Sequence, residues 1–291
     1  MSIYLVEHLI KGALFSFEKE VIKIKPILKY IGGKQRELKR FEEFIPKEFN
    51  TYYEPFVGGG SVFFHLKPQN AVISDINSDL INFYKYIKTR YDDFIEEISH
   101  LSGLFRIAND TQKSNMYYLI RDMYNNKIPK IYSDAVIYYF INKTAYSGLV
   151  RVNSQGEFNV PFGKYKKIEY KDVVTKEHSN LLRNTVVKCC DYNDIFDIAA
   201  KGDFMFLDPP YDEVFCNYGN VENFTRKDHL KLFERFTSTE CKCLMVIGRT
   251  DFTETLYEDY IIDMYDKKYA VNSKSRYVTD TSYLVCTNYY I

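Results

Sequence analysis

Apolar positions along the chain fall into short runs of strand length and longer stretches with helical spacing, and the two alternate. Thr51 to Glu54 and Asn70 to Asp75 read as strands. Between them PFVGGGSVFFHL gives a glycine turn that opens an apolar helix, and a second helix runs from Asp79 to about Lys88. This order of strand, turn, helix and strand is the opening of a Rossmann-like unit. Upstream, LKYIGGKQRELKRFEEFIP gives a Gly32-Gly33 turn and a helical charge pattern that ends before Pro46. Tyr91 to about Ile141 carries tyrosine-rich helical faces. From Asn142 to Lys167 the pattern shortens to alternation on either side of Ser154-Gln155-Gly156, which predicts a β-hairpin with a polar tip. The α/β pattern then resumes with VVKCCDYNDI, the run Phe204 to Leu207, a helix from Arg226 to about Ser238, the strand CLMVIG, and closing strands through Tyr283 to Asn288. The expected fold class is α/β, a Rossmann-like sheet over 26–88 and 168–291 interrupted by an inserted helical plus β-hairpin segment over 89–167. Residues 1–25 form an extension or an amphipathic helix without a motif.

Composition narrows this picture only slightly. A chain of 291 residues with 46% hydrophobic content is ordinary for a globular protein with a substantial core. Lysine plus arginine and aspartate plus glutamate both number 39, so the whole chain has no basic signature. The charge is local. Lys23, Lys25, Lys29, Lys34, Arg36, Lys39 and Arg40 are set against Glu37 alone, and Lys143, Arg151, Lys164, Lys166, Lys167 and Lys171 against Glu157 and Glu169. Brought to one side, these segments would contact phosphates; left apart, they are two solvated faces. The six cysteines include Cys189-Cys190 and a C-x-C at Cys241 and Cys243, without zinc-site spacing, and read as reduced thiols in an intracellular protein. No apolar run approaches membrane-spanning length, and Glu7, Lys11 and Glu18 interrupt the amino terminus, so a cytoplasmic protein with no membrane association is expected.

Chemistry concentrates at Asp208-Pro209-Pro210-Tyr211, where an apolar strand stops abruptly. The carboxyl end of a parallel strand is where open α/β sheets bind ligands. Two successive prolines offer carbonyls but no N–H donors. The Asp208 carboxylate and the Pro209 carbonyl then serve as acceptors beside the aromatic face of Tyr211, a surface suited to an exocyclic amine on a flat base. Adenine N6 is a poor nucleophile, so its methylation requires acceptors that hold the amino hydrogens and bear the positive charge developing during transfer. Tyr211 would stack on a base turned out of its helix. A rigid turn with Asp208 as a helix cap is the structural alternative. Gly58-Gly59-Gly60 allows a tight strand-to-helix turn, and Asp75 ends the next strand, where acidic residues accept ribose hydroxyls. The glycines do not match G-x-G-x-x-G, which favours S-adenosylmethionine over a dinucleotide; a structural turn with a capping Asp75 is the alternative.

In this order, LKYIGGK, YEPFVGGGSVFF, SDINSDLINFYKYIK, GLVRVNSQGEFNVPFGKYKK and LDPPYD, the chain resembles the Dam-type (D12 class) DNA adenine methyltransferases over most of Leu28 to Asp212. The resemblance implies an S-adenosylmethionine-dependent enzyme that methylates adenine N6 in duplex DNA, without a covalent protein nucleophile or a metal. It implies that Tyr30 and Lys34 help enclose the cofactor, that Glu54, Phe56 and Gly58 to Gly60 form its main loop, that Asp75 binds its ribose, that Asp191 lies near its adenine, and that Asp208, Pro209, Pro210 and Tyr211 carry transfer. Target recognition then falls to the hairpin, with Tyr146 and Leu149 on the base stack, Arg151, Pro161 and Tyr165 on base edges, and Lys29 on an outer guanine of a GATC-like site. Tyr30 stands where many members have tryptophan, and the segment DEVFCNYGNVENFTRKDH after Tyr211 is shorter than in GATC methylases. An N4-cytosine or RNA-base methyltransferase, and a DNA-binding protein without catalysis, are the alternatives. A cognate restriction endonuclease is a further partner such enzymes have.

Overall fold

The computed structural model describes residues 24–30, 32–149, 151–211, 224–267 and 281–291. The amino-terminal extension therefore lies almost wholly outside the described residues, as does most of the segment following Tyr211.

Seven strands form one sheet: β1 (Tyr52–Glu54), β2 (Ala71–Asp75), β3 (Thr185–Cys189), β4 (Phe204–Leu207), β5 (Lys242–Gly248), β6 (Ile261–Lys267) and β7 (Thr281–Thr287), in the order β3-β2-β1-β4-β5-β7-β6. The first five strands run parallel, with Tyr52 opposite both Ala71 and Phe204, and β7 pairs antiparallel with β5 and β6. Because side chains alternate across a strand, β4 feeds two cores. Phe204 and Phe206 enter the cluster holding Tyr52, Phe64 and Ile73, while Met205 and Leu207 enter the one holding Val72, Leu232 and Phe236. Both faces are thus covered, and this is why β4 is apolar throughout rather than alternating. The chain builds outward from β1 to β3 and returns to lay β4 against the other side of β1. That reversal leaves a crevice beyond the carboxyl ends of β1 and β4.

Among the described residues the helices are α1 (Leu38–Phe41), α2 (Ser61–Leu66), α3 (Ser78–Thr89), α4 (Tyr91–Ile107), α5 (Asp110–Tyr124), α6 (Asp134–Thr144), α7 (Lys176–Arg183), α8 (Tyr192–Phe196), α9 (Arg226–Ser238) and α10 (Asp251–Leu256). Local chemistry sets several starts. The Asn77 side chain accepts the Leu80 N–H at the head of α3, and Asn109 with Gln112 and Thr225 with Asp228 form capping boxes for α5 and α9. The helical pattern expected after Gly33 breaks into a 3-10 turn, α1 and a second 3-10 turn. The apolar cluster continues unbroken from Ile27 and Phe64 through Phe94, Tyr117 and Phe140 to Phe158, so α4 to α6 share their core with the sheet. No helix among the described residues is long and apolar enough to cross a membrane.

The expected β-hairpin takes a looser form. Two arms meet at isolated bridges, Ala145 with Phe162 and Val152 with Phe158, and a 3-10 turn at Tyr146–Gly148 interrupts the first arm between them. Ser147, Gly148 and Lys164 adopt positive φ, and Pro161 has no N–H to give, so a continuous ladder cannot form. The tip is nevertheless well defined, because the Asn153 carboxamide oxygen accepts the N–H groups of Gln155 and Glu157.

Candidate active site and nucleic-acid interface

The crevice beyond β1 and β4 is lined by Tyr30, Lys34, Glu54, Phe56, Gly58, Gly59, Asp75, Asp191, Asp208, Pro209, Pro210 and Tyr211. The structure therefore brings to one cavity all but one of the cofactor and transfer residues expected from the sequence. Gly60 is the exception. It sits at the head of α2 with φ +68°, and a Cβ there would meet the Phe64 ring at 2.9 Å. Its part is to allow the turn rather than to line the cavity.

At Gly58 the backbone also has positive φ, and an added Cβ would stand 2.7 Å from the Tyr30 ring. Tyr30 is thus pressed directly on the loop that floors the cavity. Phe56 adds a second aromatic wall, its ring 5.4 Å from that of Tyr192 and 6.0 Å from that of Phe224. Asp75, at the end of β2, accepts the Gly58 N–H at 3.1 Å and the Asn77 N–H at 3.0 Å. Burial pushes its carboxyl up to about 6, against the pull of those backbone donors. Asp191 is more exposed and caps α8, accepting the Asn193 N–H at 2.9 Å. An aromatic slot with a carboxylate on one wall and a close-approach glycine turn on another fits a nucleoside-bearing cofactor.

Glu54 lines the cavity and also braces it from within. Its Oε2 accepts the Tyr52 hydroxyl at 2.7 Å and the Phe63 N–H at 3.0 Å, tying β1 to α2. Burial raises its carboxyl to about 8, with the nearby Asp208 adding to the shift.

The reacting end is organised by Lys34, which is 1% exposed. Its ammonium donates to Asp208 Oδ1 at 2.6 Å, to the Tyr211 hydroxyl at 2.6 Å and to the Gly32 carbonyl at 3.1 Å. The Tyr211 hydroxyl also lies 3.5 Å from Asp208 Oδ1, its ring meets Tyr283 edge-on at 5.5 Å, and burial holds its phenol protonated. Tyr211 is thus held at the cavity wall by its hydroxyl and by Tyr283.

The six residues expected to meet DNA gather on and under the loop after α6. Tyr146 and Leu149 are 56% and 38% exposed, and Pro161 is exposed beside them, its carbonyl accepting the Tyr146 N–H. Arg151 is exposed and donates through Nε to Asn159 Oδ1 at 2.8 Å. Lys29 reaches the loop from beneath, its ammonium 4.0 Å from the Tyr165 ring centroid and 3.2 Å from the Lys143 carbonyl. The two basic segments of the sequence are therefore neighbours. Part of their charge is already paired, Lys166 with Asp110 and Lys167 with Glu169.

A family model described as D12 class N6 adenine-specific DNA methyltransferase matches residues 30–272, which span the cavity, the loop and most of the sheet. The chain belongs to this family. Among proteins similar to this D12 methyltransferase is the Type II methyltransferase M.CviBI of Paramecium bursaria Chlorella virus NC1A, 40% identical over 275 residues that cover 91% of this chain and 100% of the relative. The Type II methyltransferase M.MjaIII of Methanocaldococcus jannaschii is 35% identical, covering 92% of this chain and 100% of the relative. The DNA adenine methylase of Haemophilus influenzae is 33% identical over 247 residues, covering 82% of this chain and 85% of the relative.

Several residues that shape the site of this D12 methyltransferase were not singled out from the sequence. Asn77 holds Asp75, Phe224 and Tyr192 extend the aromatic wall, and Tyr283 backs Tyr211 from the antiparallel end of the sheet. Asn77 was legible as a cap residue within SDINSD. Tyr283 had no local signal, because its relevance depends on β7 inserting beside β5.

Proposed function

We propose that this adenine-specific DNA methyltransferase binds S-adenosyl-L-methionine in the cavity beyond β1 and β4 and methylates N6 of an adenine turned out of duplex DNA, with residues 89–167 acting as its target-recognition domain. The observation that carries this reading is the meeting of Asp208-Pro209-Pro210-Tyr211 with the Gly58-Gly59 floor and the Asp75 carboxylate in one crevice. S-adenosylmethionine supplies an electrophilic methyl group when bound. Asp75 would accept ribose hydroxyls, Phe56 and Tyr30 would flank the adenosine, and Asp191 would lie near its adenine.

Asp208 and the Pro209 carbonyl would hold the amino hydrogens of N6 and stabilise the charge that develops on nitrogen. The Lys34 ammonium fixes the Asp208 carboxylate in place. Tyr211, whose hydroxyl accepts from Lys34, would present its ring to the entering base. Direct in-line transfer needs no covalent enzyme intermediate.

Tyr146, Leu149, Arg151, Pro161 and Tyr165, with Lys29 below them, form the reading surface in this proposal. By the resemblance, Lys29, Leu149, Arg151, Pro161 and Tyr165 align with the recognition set of GATC methylases, and the target this points to is GATC or a longer site containing it. A cognate restriction endonuclease acting on the same sequence would be the natural partner, in a cytoplasmic setting. The test is expression in a methylation-deficient host followed by mapping of N6-methyladenine, together with calorimetric titration of S-adenosylmethionine into the purified protein. N4-methylcytosine in place of N6-methyladenine would overturn the substrate, and a motif without GATC would overturn the target.

A further inference from the structure

Asn142, in the last turn of α6, makes a paired contact with one backbone residue far away in sequence. Its Oδ1 accepts the Lys29 N–H at 2.9 Å, and its Nδ2 donates to the Lys29 carbonyl at 2.8 Å. A carboxamide used in this way satisfies both backbone polar groups of one residue, as an adjacent β-strand would. Asn142 is 5% exposed, so little water competes for either bond. The neighbouring Lys143 strengthens the attachment by donating to the Ile27 carbonyl at 2.5 Å.

The residue held in this way divides two environments. On one side Lys29 extends beneath the recognition loop, over the Tyr165 ring and against Gly148, where an added Cβ would come 2.9 Å from Lys29 Cδ. Immediately after it, Tyr30 packs on the Gly58-Gly59 floor, and the turn closed by the Gly33 N–H on the Tyr30 carbonyl delivers Lys34 to Asp208. The loop itself is rooted two residues beyond Asn142, where the Thr144 carbonyl accepts the Gly163 N–H. Loop root, Lys29 and the cofactor floor thus share one anchor.

We propose that Asn142 is a positioning residue that couples target readout to the cofactor cavity, by fixing Lys29 toward the base pairs and Tyr30 toward the cofactor at the same time. This rests on the proposed roles of the loop and the cavity. Asn142 is buried and does not line the cavity, so its loss should leave the transfer groups in place and loosen both sites together.

The experiment compares the full-length wild-type chain with Asn142→Ala and Asn142→Asp, at a temperature where melting curves show all three folded. Aspartate keeps the acceptor for the Lys29 N–H but has no donor for its carbonyl in the ionised form. Two readouts are taken: S-adenosylmethionine affinity by calorimetry, and the ratio of kcat/KM on a duplex carrying the mapped site to that on a duplex with one base pair changed. For Asn142→Ala the ratio should fall about tenfold, the effect of losing one to two ordinary hydrogen bonds, and cofactor affinity should weaken alongside it. Asn142→Asp should fall between. If either folded variant keeps both the ratio and the affinity of the wild type, the coupling role is overturned; a change in only one of the two readouts overturns it as well. A wild-type chain that does not discriminate between the duplexes would instead overturn the recognition reading on which the proposal rests, and the proposal with it.

Discussion

The ammonium of Lys34 and Oδ1 of Asp208, 174 positions apart in sequence, lie 2.6 Å apart at the floor of the crevice. The first arrives on a glycine turn and the second on the end of β4. A buried ammonium without its partner is costly, so the pair holds the transfer turn in one geometry. If Asp208 holds the amino group as proposed, Asp208→Ala should abolish methyl transfer while leaving S-adenosylmethionine affinity within a few-fold, since the carboxylate would act on charge that develops mainly in the transition state. Single-turnover kinetics with bound cofactor check this. Near-normal transfer by the alanine variant would remove Asp208 from catalysis.

Tyr211 contributes a ring and a hydroxyl with separable effects. In the structure the hydroxyl accepts from Lys34 and the ring rests edge-on against Tyr283. If stacking on the flipped base is its task, Tyr211→Ala should lose about 1–3 kcal/mol in kcat/KM on duplex DNA. Tyr211→Phe should stay within a few-fold of wild type, because it keeps the ring and removes only the hydroxyl's contacts with Lys34 and Asp208. Steady-state assays of both variants decide the matter. Equal loss in the two would shift the role from the ring to the hydroxyl.

The pH dependence of cofactor binding should follow Asp75. Its carboxyl is pushed up to about 6, so it is ionised above that pH and protonated below. In the proposed role the ionised form would accept ribose hydroxyls, and affinity should therefore fall as pH drops from 7.5 to 5. Asp75→Asn should flatten the profile, and Asp75→Ala should cost about 1.5–3 kcal/mol at pH 7.5. Stability runs the other way. The folded protein holds this proton more tightly than the unfolded chain does, so the associated stabilisation is complete below the ordinary carboxylate range and is lost as pH rises through about 6. Calorimetry across the pH series reads the binding effect directly; a profile that is flat in the wild type would return Asp75 to a purely structural role.

Arg151 is exposed at the start of the outgoing arm, its guanidinium steadied by Asn159. A guanidinium so placed can give two hydrogen bonds to guanine O6 and N7. Arg151→Ala should then lose about 1–3 kcal/mol of discrimination at one base pair, with a smaller change in non-specific affinity. Comparing the methylation motifs of wild type and variant in a methylation-deficient host measures this. An unchanged motif in the variant would show that the base pair is read by another residue.

Much of this protein was legible in one dimension, because the relevant constraints are local. The four apolar residues Phe204 to Leu207 predicted the buried strand, the glycine run predicted a close-approach turn, and Asp75 and Asp208 were marked by standing at strand ends. The boundaries of α9 follow from its capping residues and the pattern between them. Each of these depends on side chains within a few positions of one another.

What only the tertiary structure decided is which distant groups meet. Strand order β3-β2-β1-β4-β5-β7-β6 places Asp208 over Lys34 and Tyr283 behind Tyr211, and the packing of α6 carries Asn142 to Lys29 across 113 positions. It also reduced the alternating hairpin to two bridges, since positive φ at Ser147, Gly148 and Lys164 and the missing N–H of Pro161 outweigh the periodicity. Local pattern determines which face of an element is apolar and where a turn can occur. Partner choice between elements is set by which packing of the whole chain buries those faces together, and no window of sequence contains that comparison.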